Sequence, residues 1–495
     1  MFPAILLRRP APVLSASGVV QPGKMQTGID FIPNMNAQLT IKAPFQKDKD
    51  LKASLSAAGI SEEKLPTSFS WTNAEEVRKH RGLKDFSEDW IMQAPDQSSC
   101  GSCWAVSATS VLTDRYSIAM KKKMPILSAV VTASCATNDG HDGCQGDWPS
   151  DAGCFFEQVG VPVDACWPYE KFCSGDKCGT SGPYACCGDM KDKKQRASLS
   201  GDDIGKREDC VDFTSRVGTS CGSNPGNTDK CQVNGADPKR YKAEKGSTVS
   251  LASGTKPDCI RRMKANIFAG GPIVSCFWVY ADFTMPTSIK KWGWKQTDGV
   301  YVHADPSPYI LDPYLQEFWT NRTKKDYAHD AQVFENAGVE YGQTFNEFKE
   351  NLNRYLQTKE GGHAITVVGW SQGKVGKYGD QVPYWIGRNS WSTKWNENGL
   401  FRFAMSDSSR QLNMDVNLEQ LMYNGAIAGG ATSFNVPATV AGLQSSYHPI
   451  KNTREGETNK PKWLWILGIV GGLLVVLGVL AFLKNRGRKV PETPL

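Results

Sequence analysis

Histidine is scarce in this 495-residue chain: there are six, and none lies between His141 and His303. No phosphate-cradling glycine loop and no internal repeat occur, which sets aside P-loop nucleotide chemistry and solenoid architectures. Charge of either sign is not in large excess, the formal balance being +6. The lysine run Lys121–Lys123 reads as a solvated helix end, so no nucleic-acid partner is expected. The first nine residues, MFPAILLRR, lack the form of a conventional secretory signal, since the apolar stretch is short and the arginines follow it instead of preceding it. No metal or cofactor is expected either. The cluster Cys166, Cys173, Cys178, Cys186 and Cys187 has no interleaved histidine and no C-x-x-C spacing, a pattern that favours disulfides over zinc.

What the chain does carry is three separated runs with reactive side chains. The first, QSSCGSCW from Gln97 to Trp104, sets Cys103 on a small Gly-Ser turn six residues after a glutamine. Small and apolar residues then recur at helical spacing from Cys103 to Met120, which predicts a helix that starts at the cysteine. The partial positive charge of a helix N-terminus favours a thiolate. A thiolate needs a base, an orienter for that base and donors for a developing oxyanion before it can catalyse acyl transfer. The second run, GGHAITVVGW from Gly361 to Trp370, supplies His363 at the head of a β-branched stretch that reads as a buried strand. The third, YWIGRNSWSTKW from Tyr384 to Trp395, supplies Asn389 among aromatic residues, 26 positions after the histidine.

These runs, with their flanks and in this order, resemble the papain-like cysteine peptidases. The resemblance implies Cys103 as nucleophile, His363 as general base, Asn389 as the amide that orients the imidazole and Gln97 as an oxyanion donor. It implies Trp391 on the substrate side, its indole shielding the Asn-His hydrogen bond from water. Pairing with an imidazolium takes such thiols from about 8.5 to roughly 3–4. Within the family the chain is most like cathepsin B, through LPTSFSW (Leu65 to Trp71), GPIVSCFWVYADF (Gly271 to Phe283) and DGVYVH (Asp298 to His303). The segment GCQGDWP, Gly143 to Pro149, resembles the family's GCNGG stretch, which implies that the Gly146 backbone pairs with substrate as an added β-strand. Asp147 and Asn396 stand where the family has glycine.

The fold class so implied is α+β, a papain-like two-lobed fold: a helical lobe around Cys103, and a β-barrel-like lobe with His363 and Asn389. Two insertions, near 171–259 and 304–360, lengthen the spacing between the cysteine and the other two; the second has a helical pattern in its later half. Cathepsin B releases dipeptides through an occluding loop with a histidine pair. The gap between His141 and His303 therefore implies an endopeptidase cleft, or one gated by other chemistry. Residues 1–64 match a cathepsin B propeptide in length but show no inhibitory helical pattern, only one short helical candidate at Lys47–Ala58.

Fourteen cysteines remain beside Cys103, compatible with seven bridges or with fewer plus thiols such as Cys276 in an apolar strand. The resemblance implies Cys100 with Cys144 and Cys135 with Cys173. An oxidising compartment, or dedicated oxidising machinery, is expected.

Residues 463–483, WLWILGIVGGLLVVLGVLAFL, form a continuous apolar run without charge, and a helix of 21 residues spans roughly 30 Å, the thickness of a bilayer core. A transmembrane helix is expected here, after a tether at 431–462. Lys484, Arg486, Arg488 and Lys489 follow it, which puts residues 484–495 in the cytoplasm and the domain at 65–430 on the lumenal, extracellular or virion-membrane side. Membrane-anchored enzymes of this kind in large DNA viruses resemble the chain, and a viral origin is the expectation that follows. Two functions fit: a membrane-tethered cysteine endopeptidase acting on protein or peptide substrates, or a silent peptidase fold serving as a membrane-bound scaffold or virion component.

Overall fold

The structure, a computed structural model, describes residues 52, 55, 56, 61, 65–98, 100–136, 146–169, 173–174, 177–178, 239–251, 256–288, 300–301, 313–374, 381–405 and 431–437. The chain divides into Met1–Ala441 and Gly442–Leu495, and every described residue belongs to the first. Among the described residues no helix is long and apolar enough to cross a membrane. The expected span at 463–483, most of its tether and the basic tail lie outside them.

Nine helices are described: α1 (Ala74–Arg81), α2 (Cys103–Ala119), α3 (Ala129–Cys135), α4 (Pro149–Gln158), α5 (Lys256–Gly270), α6 (Ala281–Ser288), α7 (Pro313–Asn321), α8 (Ala328–Asn336) and α9 (Phe345–Leu356). The strands are β1 (Phe69–Ser70), β2 (Cys173–Ser174), β3 (Lys177–Cys178), β4 (Val249–Ser250), β5 (Ile273–Tyr280), β6 (Val300–Tyr301), β7 (Lys359–Lys374), β8 (Gln381–Arg388), β9 (Leu400–Ala404) and β10 (Thr432–Ser433). The main sheet runs β4-β10-β5-β7-β8-β9-β6, with β1 added to β7. All its described pairings are antiparallel except β6 with β9.

Helix α2 is the axle of the fold. Residues Cys103 to Ile118 are all buried, and the helix packs on β7, α3 and α4. Small side chains on its first turns allow the close approach: the Ser107 hydroxyl donates to the Ala364 carbonyl of β7 at 3.0 Å, and Thr366 returns a bond to the Ser107 carbonyl at 3.4 Å. Farther along, Arg115 is buried and donates to the carbonyls of Pro272 (2.8 Å), Gly271 (3.1 Å) and Phe434 (2.7 Å), tying α2 to the start of β5 and to the segment after β10. At the middle of β7, Gly369 is required by packing, because a Cβ there would lie 2.2 Å from the Phe69 carbonyl oxygen of β1. The aromatic core includes Trp71, Trp370 and Trp385, side chains that each bury about 150–250 Å².

Within the second insertion, α7, α8 and α9 bring Phe318, Phe334, Tyr341 and Phe348 ring to ring, and these side chains extend the aromatic core of the sheet. Helix α9 begins with a capping box, the Thr344 hydroxyl accepting from the Glu347 N–H while the Glu347 carboxylate accepts from the Thr344 N–H. Within the N-terminal extension, Lys52, Leu55 and Ser56 are helical, inside the Lys47–Ala58 candidate, and Leu55 is buried against Ala265 of α5.

Cys100, Cys154 and Cys166 are disulfide-bonded. The implied bridge from Cys135 to Cys173 is not made: Cys135 lies buried as a thiol at the end of α3, and Cys173 stands across from Cys178 in the β2-β3 ladder. Cys144, the implied partner of Cys100, lies outside the described residues. Cys276 is a free thiol in β5, a core position where burial pushes its ionisation up to about 12.

Candidate active site

Helix α2 opens at Cys103, as the spacing of its apolar residues predicts, with Ser102 in the N-cap position. The Cys103 side chain is 3 % exposed, and its Sγ accepts from the Ala364 N–H at 3.4 Å. Two sources of positive potential therefore act on the sulfur: the helix end and an N–H from β7. Both favour the thiolate.

Ala364 follows His363 on β7, where the antiparallel register sets His363 opposite Phe277 of β5. On the other side, Thr366 pairs with Arg388 at the end of β8, so the next residue, Asn389, comes within reach of the imidazole. The His363 Nε2 and Asn389 Oδ1 lie 2.8 Å apart. The Ser390 N–H donates to the same oxygen at 2.8 Å, which fixes the amide with its carbonyl toward the ring. An amide oxygen only accepts, so Nε2 carries the proton and Nδ1 is left to exchange one with the sulfur. Nδ1 is buried without a hydrogen-bond partner.

The environment of the ring is apolar. The Trp391 indole stacks on it with centroids 4.9 Å apart and planes at 26°, and Phe277 meets it edge-on at 5.9 Å. Burial pushes the imidazole down to about 4, an effect the Asn389 hydrogen bond partly offsets. A lone imidazolium is therefore opposed here. An anion beside the ring is what would oppose that shift and restore its proton.

Gln97 is fully buried and held on three sides. Its N–H donates to the Ser390 carbonyl at 2.8 Å, its Oε1 accepts from the Ser390 hydroxyl, and its Nε2 donates to the Cys100 carbonyl at 2.8 Å. The Cys100 bond identifies which end of the amide is nitrogen and turns it toward the turn that carries Cys103. Asp96 also bridges to Trp391, so the glutamine loop and the asparagine loop are stitched together.

Gly146 has φ +87°, a left-handed conformation that a side chain would strain. The Asp147 carboxylate bends back to accept from the Trp148 N–H at 2.8 Å just before α4. Asn396 has φ +42° and donates from its side chain to the Leu400 carbonyl at 2.8 Å. Asparagine tolerates this region better than most residues, so the turn is kept without the family's glycine.

The family description "Papain family cysteine protease" matches residues 83–289 and 319–420, more than half of the chain. This chain belongs to that family. Among curated proteins the peptidase is similar to cathepsin B-like cysteine proteinase 1 of Ostertagia ostertagi, 26% identical over 345 residues that cover 68% of this chain and 69% of the relative. It is likewise 26% identical to cathepsin B-like cysteine proteinase 4 of Caenorhabditis elegans over 354 residues, 69% of this chain and 71% of the other. Among solved structures, procathepsin B S9 from Trypanosoma congolense aligns with a TM-score of 0.43 at 18% identity, covering 85% of this chain and 92% of that one. The chain is a cysteine peptidase with the papain-like arrangement of helices and sheet.

Of the six site residues anticipated for this peptidase, Asn389 and Trp391 meet the His363 imidazole, Cys103 is held by the N–H of the residue after His363, and Gln97 joins them through Ser390. Gly146 lies three residues before the start of α4. Four further residues, Ser390, Asp114, Arg388 and Tyr169, support the site. Ser390 clamps Gln97 by two bonds, and its position next to Asn389 was the available signal. Asp114 accepts from the Met92 N–H at 2.8 Å and from Arg388 at 2.7 Å, and Arg388 also donates to the Met92 carbonyl at 2.7 Å. That buried pair joins the helix of the cysteine to the residue before Asn389; burial raises the Asp114 carboxyl, and Arg388 opposes the rise. Tyr169, whose hydroxyl touches both Gln97 and Ser102, had no signal beyond its place after Trp167-Pro168.

Proposed function

We propose that this cysteine peptidase is an endopeptidase tethered to a membrane, with Cys103 as its nucleophile. The observation that carries the reading is the His363 ring: one nitrogen bonded to Asn389 at 2.8 Å, the other without a partner, and the Cys103 sulfur held by the N–H of the very next residue. In the proposed reaction the Cys103 thiolate attacks the scissile carbonyl carbon. The resulting oxyanion takes hydrogen bonds from the Cys103 N–H and the Gln97 amide nitrogen, donors of a kind worth about 2.7–4 kcal/mol each. The imidazolium gives its Nδ1 proton to the leaving amine, and the C–N bond breaks to leave a thioester. His363 then accepts a proton from water as that water attacks the thioester, and the thiolate departs.

An endopeptidase is favoured because no histidine between His141 and His303 is available for an occluding pair. Gly146 is proposed to pair with the substrate backbone, its left-handed φ leaving the main chain open to such an approach. The apolar run 463–483 and the basic residues after it support a single span with the peptidase on the non-cytoplasmic face.

The test is active-site labelling of the full chain in detergent with an epoxide that alkylates papain-type thiolates. Adduct at Cys103, lost in Cys103→Ala, is the expected result. A folded protein that takes no label at Cys103 would reject the nucleophile and favour the scaffold. Alkaline extraction of membranes tests the tether: the full chain should stay in the pellet and a chain lacking 463–483 should leave it.

A further inference from the structure

The residue in the N-cap position of a helix, when it is serine, normally accepts a hydrogen bond from the N–H of the second or third helical residue. Ser102 occupies that position on α2: its carbonyl accepts the first helical bond, from the Val106 N–H at 2.9 Å. Its side chain makes no capping bond, although three other helices of the chain, α1, α3 and α9, are capped in this way by Asn73, Ser128 and Thr344. The Ser102 hydroxyl is instead bonded to the Tyr169 hydroxyl. A phenol has one proton, and Tyr169 spends it on the Gln97 carbonyl at 3.1 Å. Ser102 is therefore the donor of the pair, and Tyr169 the acceptor.

Tyr169 is itself well anchored. Its N–H donates to the Asp164 carboxylate at 3.1 Å, Cys166 is disulfide-bonded, and the Trp167 carbonyl accepts from Ser128 at 2.8 Å. From this base its hydroxyl reaches Gln97 and Ser102, the residue just before Cys103. Gln97 carries the amide whose nitrogen is bonded to the Cys100 carbonyl, and Ser102 leads directly into the thiol.

We propose that Tyr169 is a positioning residue for the peptidase reaction. It draws the Ser102 hydroxyl away from the helix end and pins the Gln97 main chain. A capping serine would place its oxygen lone pair against the first-turn N–H groups of α2. Those N–H groups supply the positive potential felt at Cys103 and one of the oxyanion donors. With Ser102 held off, that potential acts on the thiolate and on the transition state.

The inference rests on the reading of Cys103 as nucleophile, and its test separates the two. The measurement is the pH dependence of iodoacetamide alkylation at Cys103 in the full chain, with kcat and KM for a peptide substrate beside it, for wild type, Tyr169→Phe and Tyr169→Phe/Ser102→Ala. Tyr169→Phe keeps the ring and removes only the hydroxyl. It should shift the thiolate titration to higher pH, so that alkylation on the acid side slows about twofold to fivefold, the range of helix-end effects on a charge. kcat should fall with KM little changed. Adding Ser102→Ala removes the competing oxygen and should return the titration toward wild type, a rescue that loss of loop packing would not show. Should the double variant fail to fold, Ser102→Ala alone carries the test, and its titration should lie at or below that of wild type. An unchanged titration in Tyr169→Phe, or a shift that Ser102→Ala does not reverse, overturns the inference while leaving Cys103 as nucleophile. A wild-type titration near that of an ordinary thiol, about 8.5, rejects the nucleophile itself.

Discussion

The seam between α2 and the sheet and the inner, apolar face of the helical insertion at 313–356 are both buried, but they are held mainly by different means. In the seam, Gln97, Ser102, Asp114, His363, Arg388, Asn389 and Ser390 are polar side chains at most 2 % exposed, each aimed by named hydrogen bonds. In the insertion, Phe318, Phe334 and Phe348 meet ring to ring, and direction matters less than volume. Buried polar groups without partners cost more than the same groups gain when paired. The seam is therefore specific in geometry and intolerant of change, whereas the insertion can lose contact area by degrees.

The largest test of this contrast is chemical. His363→Ala should lower kcat/KM for a peptide by at least about 10⁴-fold, since residues that act as one unit fail together. The melting temperature should change little, because the ring has no hydrogen bond other than that to Asn389. A loss of only tenfold in peptide hydrolysis would remove His363 from the reaction.

Next in size is the ion pair. Arg388→Met leaves Asp114 buried without its cation and should cost about 3–5 kcal/mol in urea unfolding. Pairing it with Asp114→Leu should recover most of that loss. If the double variant is as unstable as the single, the pair stabilises through something other than mutual neutralisation.

Phe348→Ala, at the centre of the insertion, should cost about 3–5 kcal/mol of local or global stability, while Phe348→Leu should cost under about 1.5 kcal/mol. Both should keep the rate of epoxide labelling at Cys103 within about twofold when measured on folded protein, a ratio set against the steep loss in His363→Ala. A labelling rate that follows Phe348 stability would mean that the insertion shapes the site. The smallest effect is at the turn after Trp395: Asn396→Gly should move stability by less than about 1 kcal/mol, because glycine relieves the φ of +42° but loses the bond to Leu400. Thermal denaturation would reveal any larger change.

The same contrast explains what could be read from the sequence. Helix α2 was legible from small and apolar residues at helical spacing, and α9 from its periodicity, with Thr344 and Glu347 forming a capping box at its start. The reactive residues were legible because each stands in a short run of distinctive neighbours. The polar links between those runs were not. Nothing local in the sequence tells that Asp114 will meet Arg388 across 274 positions, or that Tyr169 will reach Ser102 across 67. Their pairing depends on β7-β8 register and on where the loop after α4 returns. The bridge expected between Cys135 and Cys173 failed for a related reason: Cys135 faces the core at the end of α3. Such direction is set by packing.

The most direct measurement is the protonation of His363 followed by imidazole NMR over pH, in wild type and in Cys103→Ala. The folded imidazole without a neighbouring anion is held down to about 4, below the ordinary value near 6.5. In Cys103→Ala the ring should thus stay neutral until the pH nears 4. The stability it contributes should be whole above about pH 6.5 and decline as pH falls from there. In wild type the thiolate should keep the same ring protonated at neutral pH. A neutral ring in both proteins at pH 7 would contradict the thiolate-imidazolium pair on which the account depends.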